Sequence, residues 1–335
     1  MALSLYRRQA DNGNMKSSWC VLAVLVTAGA VACTAPATRA ILPTAVPAAP
    51  RVVRVGVEKG GTTTVRSVPI EEYVAATIIS EFAPPDGEPV MVERMLEVQA
   101  VIGRTYALAH LARHAREGFD LCATTHCQLF QPSRLQTSRW AGQAAEACRR
   151  TSGTVLWFDG APANALFHAD CGGHTSKAAD VWGGAGRPYL VAIADDGPAE
   201  EVHSRWRYEA GRASVQRALN ADPRTRVGTR LDGMQILERD SAGRAEHIAL
   251  HGAEERIVRG EALRDVLTRA FGGRAIKSTW FDVRREGAAF VFEGRGFGHG
   301  VGLCQAGALA RIRAGTRLPA ILQRYFPGTK LMVMR

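Results

Sequence analysis

From Gly294 to Gly302 every second residue is glycine, in the run Gly294-Arg-Gly-Phe-Gly-His-Gly-Val-Gly302. Five missing side chains at alternate positions strip one side of an extended backbone, so a ligand or a second backbone can approach it closely. His299 is displayed among these glycines, and Leu303-Cys304-Gln305 leads into a helix expected from about Gln305 to Ala314. The run does not fit GxGxxG, and no Gly-Lys-Ser or Gly-Lys-Thr follows it. Neither a dinucleotide site nor a P-loop is therefore supported. A tightly packed structural turn would use the same glycines.

The other end of the chain supplies a carboxylate. Residues 51–58 and 64–69 read as strands, and Pro69 opens a helix from Ile70 to Ser80 with Glu71 and Glu72 in its first turn. Glu81 follows at the end of that helix, just before Phe82-Ala83-Pro84-Pro85. The partial negative charge of a helix C-terminus and apolar neighbours both disfavour an ionised carboxylate. A general acid at neutral pH needs a pKa raised in this way. A second helix is expected over 90–115, with Met91, Met95, Val98, Ile102, Tyr106 and Ala109 at helical spacing. It carries Arg104, whose planar fork suits an anionic or hydroxyl-rich ligand but also an internal ion pair.

Between these ends lie the remaining candidate ligands. Cys122-Ala-Thr-Thr-His126-Cys127 puts two thiols and an imidazole within six residues, and His114 lies eight residues upstream. Four such donors can hold zinc, although the spacing is not a standard finger. A Cys122–Cys127 disulfide or a loop without redox chemistry fits the same residues. Residues 136–149 read as a helix, and 153–168 as a hairpin turning at Asp159-Gly160. His168-Ala-Asp-Cys171-Gly-Gly-His174 then leaves a strand end for a glycine-rich loop, a common way to line a cleft. A Cys–His nucleophile pairing Cys171 or Cys304 with His168 or His299 is conceivable. No HExxH zincin helix and no GxSxG elbow is present.

The chain has 335 residues and a formal charge of +10, suiting an anionic partner. It has no block of five or six basic residues, so a nucleic-acid partner is not expected. From Met15, Lys16 and the apolar run Trp19–Ala32 read as an export signal over residues 1–32, too short to span a bilayer comfortably. Ala30-Val-Ala-Cys33 resembles a lipobox, which would make Cys33 a lipid anchor to the membrane; ordinary cleavage after Ala32 or Ala40 is the alternative. Residues 33–50 read as an Ala/Pro-rich linker and 51–335 as the folded domain. Within it, 205–293 reads as an inserted lobe, with helices at 211–220 and 260–271 and strands at 234–239, 246–251, 279–284 and 288–293. The expected fold class is α+β, helices packed on antiparallel strands, with the smaller α+β lobe flanking a cleft.

Seven segments in order carry a resemblance: VPIEEYVAATIISEF, VQAVIGRTYALAHLARH, FDLCATTHCQLFQ, ALFHADCGGHTSKAADVWGG, PYLVAIAD, GRGFGHGVGLCQAGALARIRAG and ILQRYFPGTKL. Across about residues 50–335 the chain resembles the SpoIID/LytB family. That family includes lytic transglycosylases that cleave peptidoglycan strands lacking stem peptides, and amidase enhancers. The resemblance implies that Glu81 is the acid/base and that Arg104, His168, His299 and Gln305 line the cleft. It implies zinc at Cys122, Cys127 and the nearby histidines His126 and His114. It implies peptidoglycan and a cell-wall amidase as partners, and a place in the bacterial cell envelope. Many relatives lack cysteine at 171 and 304, so a Cys171–Cys304 disulfide tying the two glycine-rich loops is a further expectation. The rival readings are a non-catalytic enhancer of a wall amidase and a cysteine-dependent amidase or peptidase.

Overall fold

The structure is a computed structural model that describes residues 52–84, 89–195 and 205–334. The expected export signal and linker lie outside the described residues, and among the described residues no helix is long and apolar enough to cross a membrane.

Val52–Lys59 and Thr62–Pro69 form an antiparallel hairpin in the register Val53↔Val68. It turns at Gly60-Gly61, where both residues have positive φ, as a tight two-residue hairpin requires. The chain passes directly from Pro69 into the helix Ile70–Glu81, whose inward residues Tyr73, Val74, Ile78 and Ile79 are buried. Helix Pro89–Ala109 is the centre of the domain. It packs on Ile70–Glu81, Ala141–Arg150, Gln305–Arg313 and the strand Thr154–Phe158, and from Val98 to Leu108 it is buried on all sides. A helix apolar around its whole circumference belongs inside a core.

Two elements differ from the sequence expectation. The central helix ends at Ala109, six residues short of the expected end. Ala112 takes a left-handed φ of 61°, and the turn it makes carries His114 back beside Cys127. The hairpin expected over 153–168 pairs only Thr154–Phe158 with Ala161–Pro162. One further ladder bond follows, from the Ala163 N–H to the Leu156 carbonyl at 2.9 Å, before the strands part. Phe167–His168 instead pairs in parallel with Leu303–Cys304, setting His168 opposite Cys304 across 136 residues of chain.

The segment 205–294 has its own apolar core, built from Trp206, Val215, Leu219, Ile248, Leu263, Phe281, Phe290 and Phe292. One antiparallel sheet runs Phe281–Glu286, Ala289–Gly294, Trp206–Gly211; a second runs Arg256–Arg259, Ala245–Gly252, Leu231–Arg239. Helices Arg212–Asn220 and Gly260–Phe271 pack on them. The α+β class is as expected from the sequence. Strands Trp206–Gly211, Arg256–Arg259 and Lys330–Val333 are additional to the expected set.

Candidate active site

A cavity of about 480 Å³ is lined by Glu81, Tyr106, Arg113, Thr125, His126, Cys127, the segment Leu166–Ala169, the segment Phe297–His299, and Gln305. Glu81 is the only carboxylate among these lining residues. It closes the helix Ile70–Glu81 and is half-buried, and Leu129 donates its backbone N–H to Oε1 at 2.5 Å. Burial raises its pKa, and the Leu129 hydrogen bond opposes that only in part. Among the described residues Glu81 has no cationic partner to hold it ionised. The carboxyl is therefore biased toward its protonated form within a groove.

Opposite stand two neutral imidazoles. His168 donates from Nδ1 to the Val301 carbonyl at 3.1 Å, which leaves Nε2 as a buried lone pair without a partner. Burial, with His299 and the Arg244 guanidinium as neighbours, drives its pKa well below the usual imidazole value. His299 accepts the Val301 N–H at Nδ1, 3.0 Å away, and donates to the Phe167 carbonyl. Burial and the nearby Arg264 and Arg244 charges push it down to about 3. The His299 ring packs between His168 and Trp182, with centroids 5.6 and 5.1 Å away. Gln305 begins the last long helix; its side-chain Nε2 is buried and unpaired.

The alternating glycines explain how these groups come so close. A Cβ on Gly298 would stand 2.7 Å from the Cβ of His168, and one on Gly300 would meet the Arg244 guanidinium at 2.3 Å. Both glycines have positive φ, so the close approach and the backbone conformation exclude a side chain together.

Arg104 does not reach this groove. It is buried at 1% exposure and donates to both Glu71 carboxylate oxygens, at 2.8 and 2.5 Å, and to the carbonyls of Thr154 and Cys148. The expectation that it lines the cleft is corrected. Its face of the central helix turns into the domain, where an unpaired guanidinium would be prohibitively costly. Nor does the 205–293 lobe wall the Glu81 groove, whose lining comes from residues 81–169 and 297–305.

The expected Cys171–Cys304 disulfide is also corrected, because both residues are free thiols. The loops do meet, through hydrogen bonds. The Cys304 sulfur accepts the N–H groups of Cys171 and Gly307, at 3.2 and 3.3 Å, while the Cys171 thiol turns to Asp195. Burial drives the Cys304 thiol pKa well up, the reverse of what a nucleophile needs.

Next to the groove, His114, Cys122, His126 and Cys127 bring one ligand atom each to within 4.8 Å of one another. Cys122 Sγ lies 3.6 Å from His126 Nδ1, and Cys127 Sγ lies 3.4 Å from His114 Nε2 and 3.8 Å from His126 Nδ1. A tetrahedral zinc with ordinary bond lengths separates sulfur and nitrogen ligands by roughly 3.6 Å, so the donor set fits the ion in both chemistry and spacing. His114 is oriented by Glu117, whose Oε1 accepts a hydrogen bond from Nδ1 at 2.7 Å, the usual support for a ligating imidazole. Burial acts to raise the Cys122 thiol, but hydrogen bonds from Thr124, His126 and Cys127 outweigh it and bring Cys122 down to about 6.

Sequence reasoning missed Tyr106, Arg113, Phe167 and Leu129. Helical spacing gives Tyr106 only a core position; its hydroxyl accepts from Arg113 at 2.9 Å at the groove wall. Leu129 acts through its backbone N–H, which no side-chain pattern reveals.

Residues 58–158 match the model of the stage II sporulation protein family, SpoIID, and residues 198–302 match a domain of unknown function, DUF8618. Stage II sporulation protein D of Bacillus subtilis (strain 168) is 24% identical over 292 residues, covering 83% of this chain and 79% of that protein. An uncharacterized protein of Brachyspira hyodysenteriae is 26% identical over 278 residues, covering 80% and 68%. The amidase enhancer of Bacillus subtilis is 24% identical over 279 residues, covering 70% of this chain and 37% of that protein.

Proposed function

Because the chain belongs to the SpoIID/LytB family, we propose that it is a peptidoglycan lytic transglycosylase of the cell envelope with Glu81 as its single acid/base. The observation that carries the proposal is the solitary, half-buried Glu81 carboxyl in a cavity it shares with His168, His299 and Gln305, where the one lining arginine, Arg113, is engaged by the Tyr106 hydroxyl rather than by Glu81.

Protonated Glu81 gives its hydrogen to the glycosidic oxygen between N-acetylmuramic acid and N-acetylglucosamine. As that bond breaks, positive charge grows on the muramyl C1. The muramyl C6 hydroxyl attacks C1, and the Glu81 carboxylate takes the hydroxyl proton, leaving a 1,6-anhydro end. Glycoside hydrolysis needs a second carboxylate to activate water or to attack the sugar. Internal attack removes that need and agrees with one acid in the groove. General acid–base help contributes about 10²–10⁴ in rate, so binding must supply the rest. The Gln305 amide and the His168 Nε2 lone pair are the unsatisfied polar groups offered to the sugar.

His114, Cys122, His126 and Cys127 would hold one zinc. With four protein ligands the ion would serve as a structural cross-link that fixes the loop carrying Leu129. The envelope location, a lipid anchor at Cys33 and supply of peptide-free strands by a wall amidase belong to the same proposal.

The test is digestion of purified denuded glycan strands by wild type and Glu81→Gln, with mass analysis of the products. Anhydro-muramyl ends from wild type and none from the variant are the expected result. If neither chain cleaves, yet both stimulate a wall amidase, the chain is an enhancer instead.

A further inference from the structure

The segment 205–294 lines no part of the Glu81 groove, but it grips the backbone that does. The Lys277 carbonyl accepts the Gly298 N–H at 2.8 Å. A second hold comes from the turn at 240–244, between strands Leu231–Arg239 and Ala245–Gly252. Asp240 shapes that turn by accepting the N–H groups of Ala242 and Arg244 on one carboxylate oxygen, at 2.9 and 2.8 Å. Its other oxygen accepts from the Ser176 hydroxyl, and the Ser176 N–H donates to the Gly300 carbonyl at 2.8 Å.

Arg244 reaches from this turn to both glycine-rich loops and is 1% exposed. Its Nη2 donates to the Cys171 carbonyl at 2.6 Å, and the guanidinium fills the space that a Cβ on Gly300 would need. Gly300 stands between His299 and Val301. Val301 donates its N–H to His299 Nδ1, and its carbonyl accepts from His168 Nδ1. Whatever displaces Gly300 therefore displaces both rings.

A buried guanidinium is costly unless its N–H groups are satisfied. Here Nε and Nη1 are buried with no hydrogen-bond partner. Asp240 and Glu261 bring negative charge nearby, and Arg264 works against them. For packing alone, an apolar side chain of similar volume would serve without that penalty. The charge does have a target. With burial, it disfavours protonation of both His168 and His299, and Arg264 adds to it at His299. The two rings also face each other, the Cys171 and Cys304 sulfurs lie beside His168, and Glu81 lines the same cavity.

We propose that Arg244 is a positioning residue of the Glu81 groove: it props Gly300 and the Cys171 carbonyl so that His168 and His299 keep their places in the groove wall. The proposal rests on the reading of that groove as the glycan-cleaving site, and it extends it. It also gives the segment that matches the domain of unknown function a task, completing the site from behind.

The experiment compares Arg244→Met, Arg244→Lys and Leu219→Ala in the full chain. Leu219 is fully buried in the segment's own apolar core, so its truncation loosens that segment while Arg244 stays present. Misplacing catalytic geometry by about 1 Å can cost about a hundredfold, so Arg244→Met should lower kcat/KM for glycan strands at least about tenfold in the folded fraction. Arg244→Lys, which keeps the charge, should recover part of that loss, and Leu219→Ala should stay within about twofold of wild type. A second measurement follows the His168 and His299 ring nitrogens by NMR through a pH titration, in chains that also carry Glu81→Gln. Both midpoints should rise by at least about one pH unit in Arg244→Met and stay near their starting values in Arg244→Lys. Arg244→Gln serves as the neutral variant should Arg244→Met not fold. Undiminished cleavage by the neutral variant, an equal loss in Leu219→Ala, or unmoved imidazole midpoints would overturn the proposal. Because the titration is read without cleavage, midpoints that move in a chain that cuts nothing would sink the transglycosylase reading alone. Equal cleavage by wild type and the neutral variant would sink only this one.

Discussion

The backbone N–H of Leu129 donates to the carboxylate of Glu81, joining the loop of the four-ligand cluster to the one acid in the groove. One residue of chain, Gln128, separates Leu129 from Cys127, so whatever fixes the cluster fixes that donor. Zinc removal should therefore act at a distance on Glu81. Elemental analysis should give about one zinc per chain. Stripping it, or His114→Ala, should lower Tm by more than about 5 °C and reduce strand cleavage in the fraction that stays folded. A metal-free chain with unchanged Tm would remove the cluster from the account.

The pH dependence follows from the direction of the Glu81 shift. Its folded pKa is above its unfolded value, so between the two the folded state holds a proton that the unfolded state has lost. Stability thus falls as pH rises through that window, and the acid form needed for cleavage is lost over the upper part of it. Cleavage should decline on the alkaline side of the Glu81 pKa. Glu81→Gln cannot ionise, so it should abolish cleavage while raising Tm at neutral pH by roughly 1–3 °C. A variant less stable at pH 7 than wild type would contradict the raised pKa.

The Glu71–Arg104 pair makes the opposite prediction, stability without catalysis. Glu71→Ala leaves the buried Arg104 guanidinium with only backbone carbonyls. Losing one partner of such a pair costs about 3–5 kcal/mol when both are buried, and the partly exposed Glu71 points to the lower end. Urea unfolding should show that loss, while cleavage per folded molecule stays within about twofold.

Much of this arrangement could be read from the sequence where the signal was local. Glu81 declared itself by standing at a helix end before Phe82-Ala83-Pro84-Pro85, and the alternating glycines announced a close approach before Arg244 and His168 were known to be what approached. The place of Arg104 is not legible from the sequence, because helical spacing does not say which face turns inward and its partner Glu71 sits 33 residues away on another helix. The parallel pairing of His168 with Cys304 spans 136 residues, and no local pattern encodes it. Trp280 and Arg295 likewise flank a hairpin and meet through a backbone hydrogen bond and the stacking of the guanidinium on the ring.

The two buried cysteines offer a test against thiol chemistry. Cys304 caps the N-terminus of the helix Gln305–Arg313 through Gly307, a role that a serine hydroxyl can take over. Cys304→Ser and Cys171→Ser should keep cleavage within about threefold, and alkylating reagents should leave both thiols unmodified in the folded chain. Loss of activity in step with modification of either thiol would revive a cysteine mechanism.

The sharpest structural prediction concerns Gly298. Its φ of 107° disfavours any L side chain, and an added methyl would stand 2.7 Å from the Cβ of His168. Strain of this kind costs about 1–3 kcal/mol, and the overlap with the packed His168 Cβ adds about 1–3 more. Because His168 is pinned by its own strand pairing and by Val301, the Gly-rich loop must give way, carrying His299 with it. Gly298→Ala should therefore lower stability by about 2–6 kcal/mol and reduce cleavage at least about tenfold in the folded fraction. Gly273→Ala, where the added methyl meets nothing, is the matched control and should change neither. Equal behaviour of the two variants in urea unfolding and strand digestion would mean that close packing at Gly298 does not position the groove.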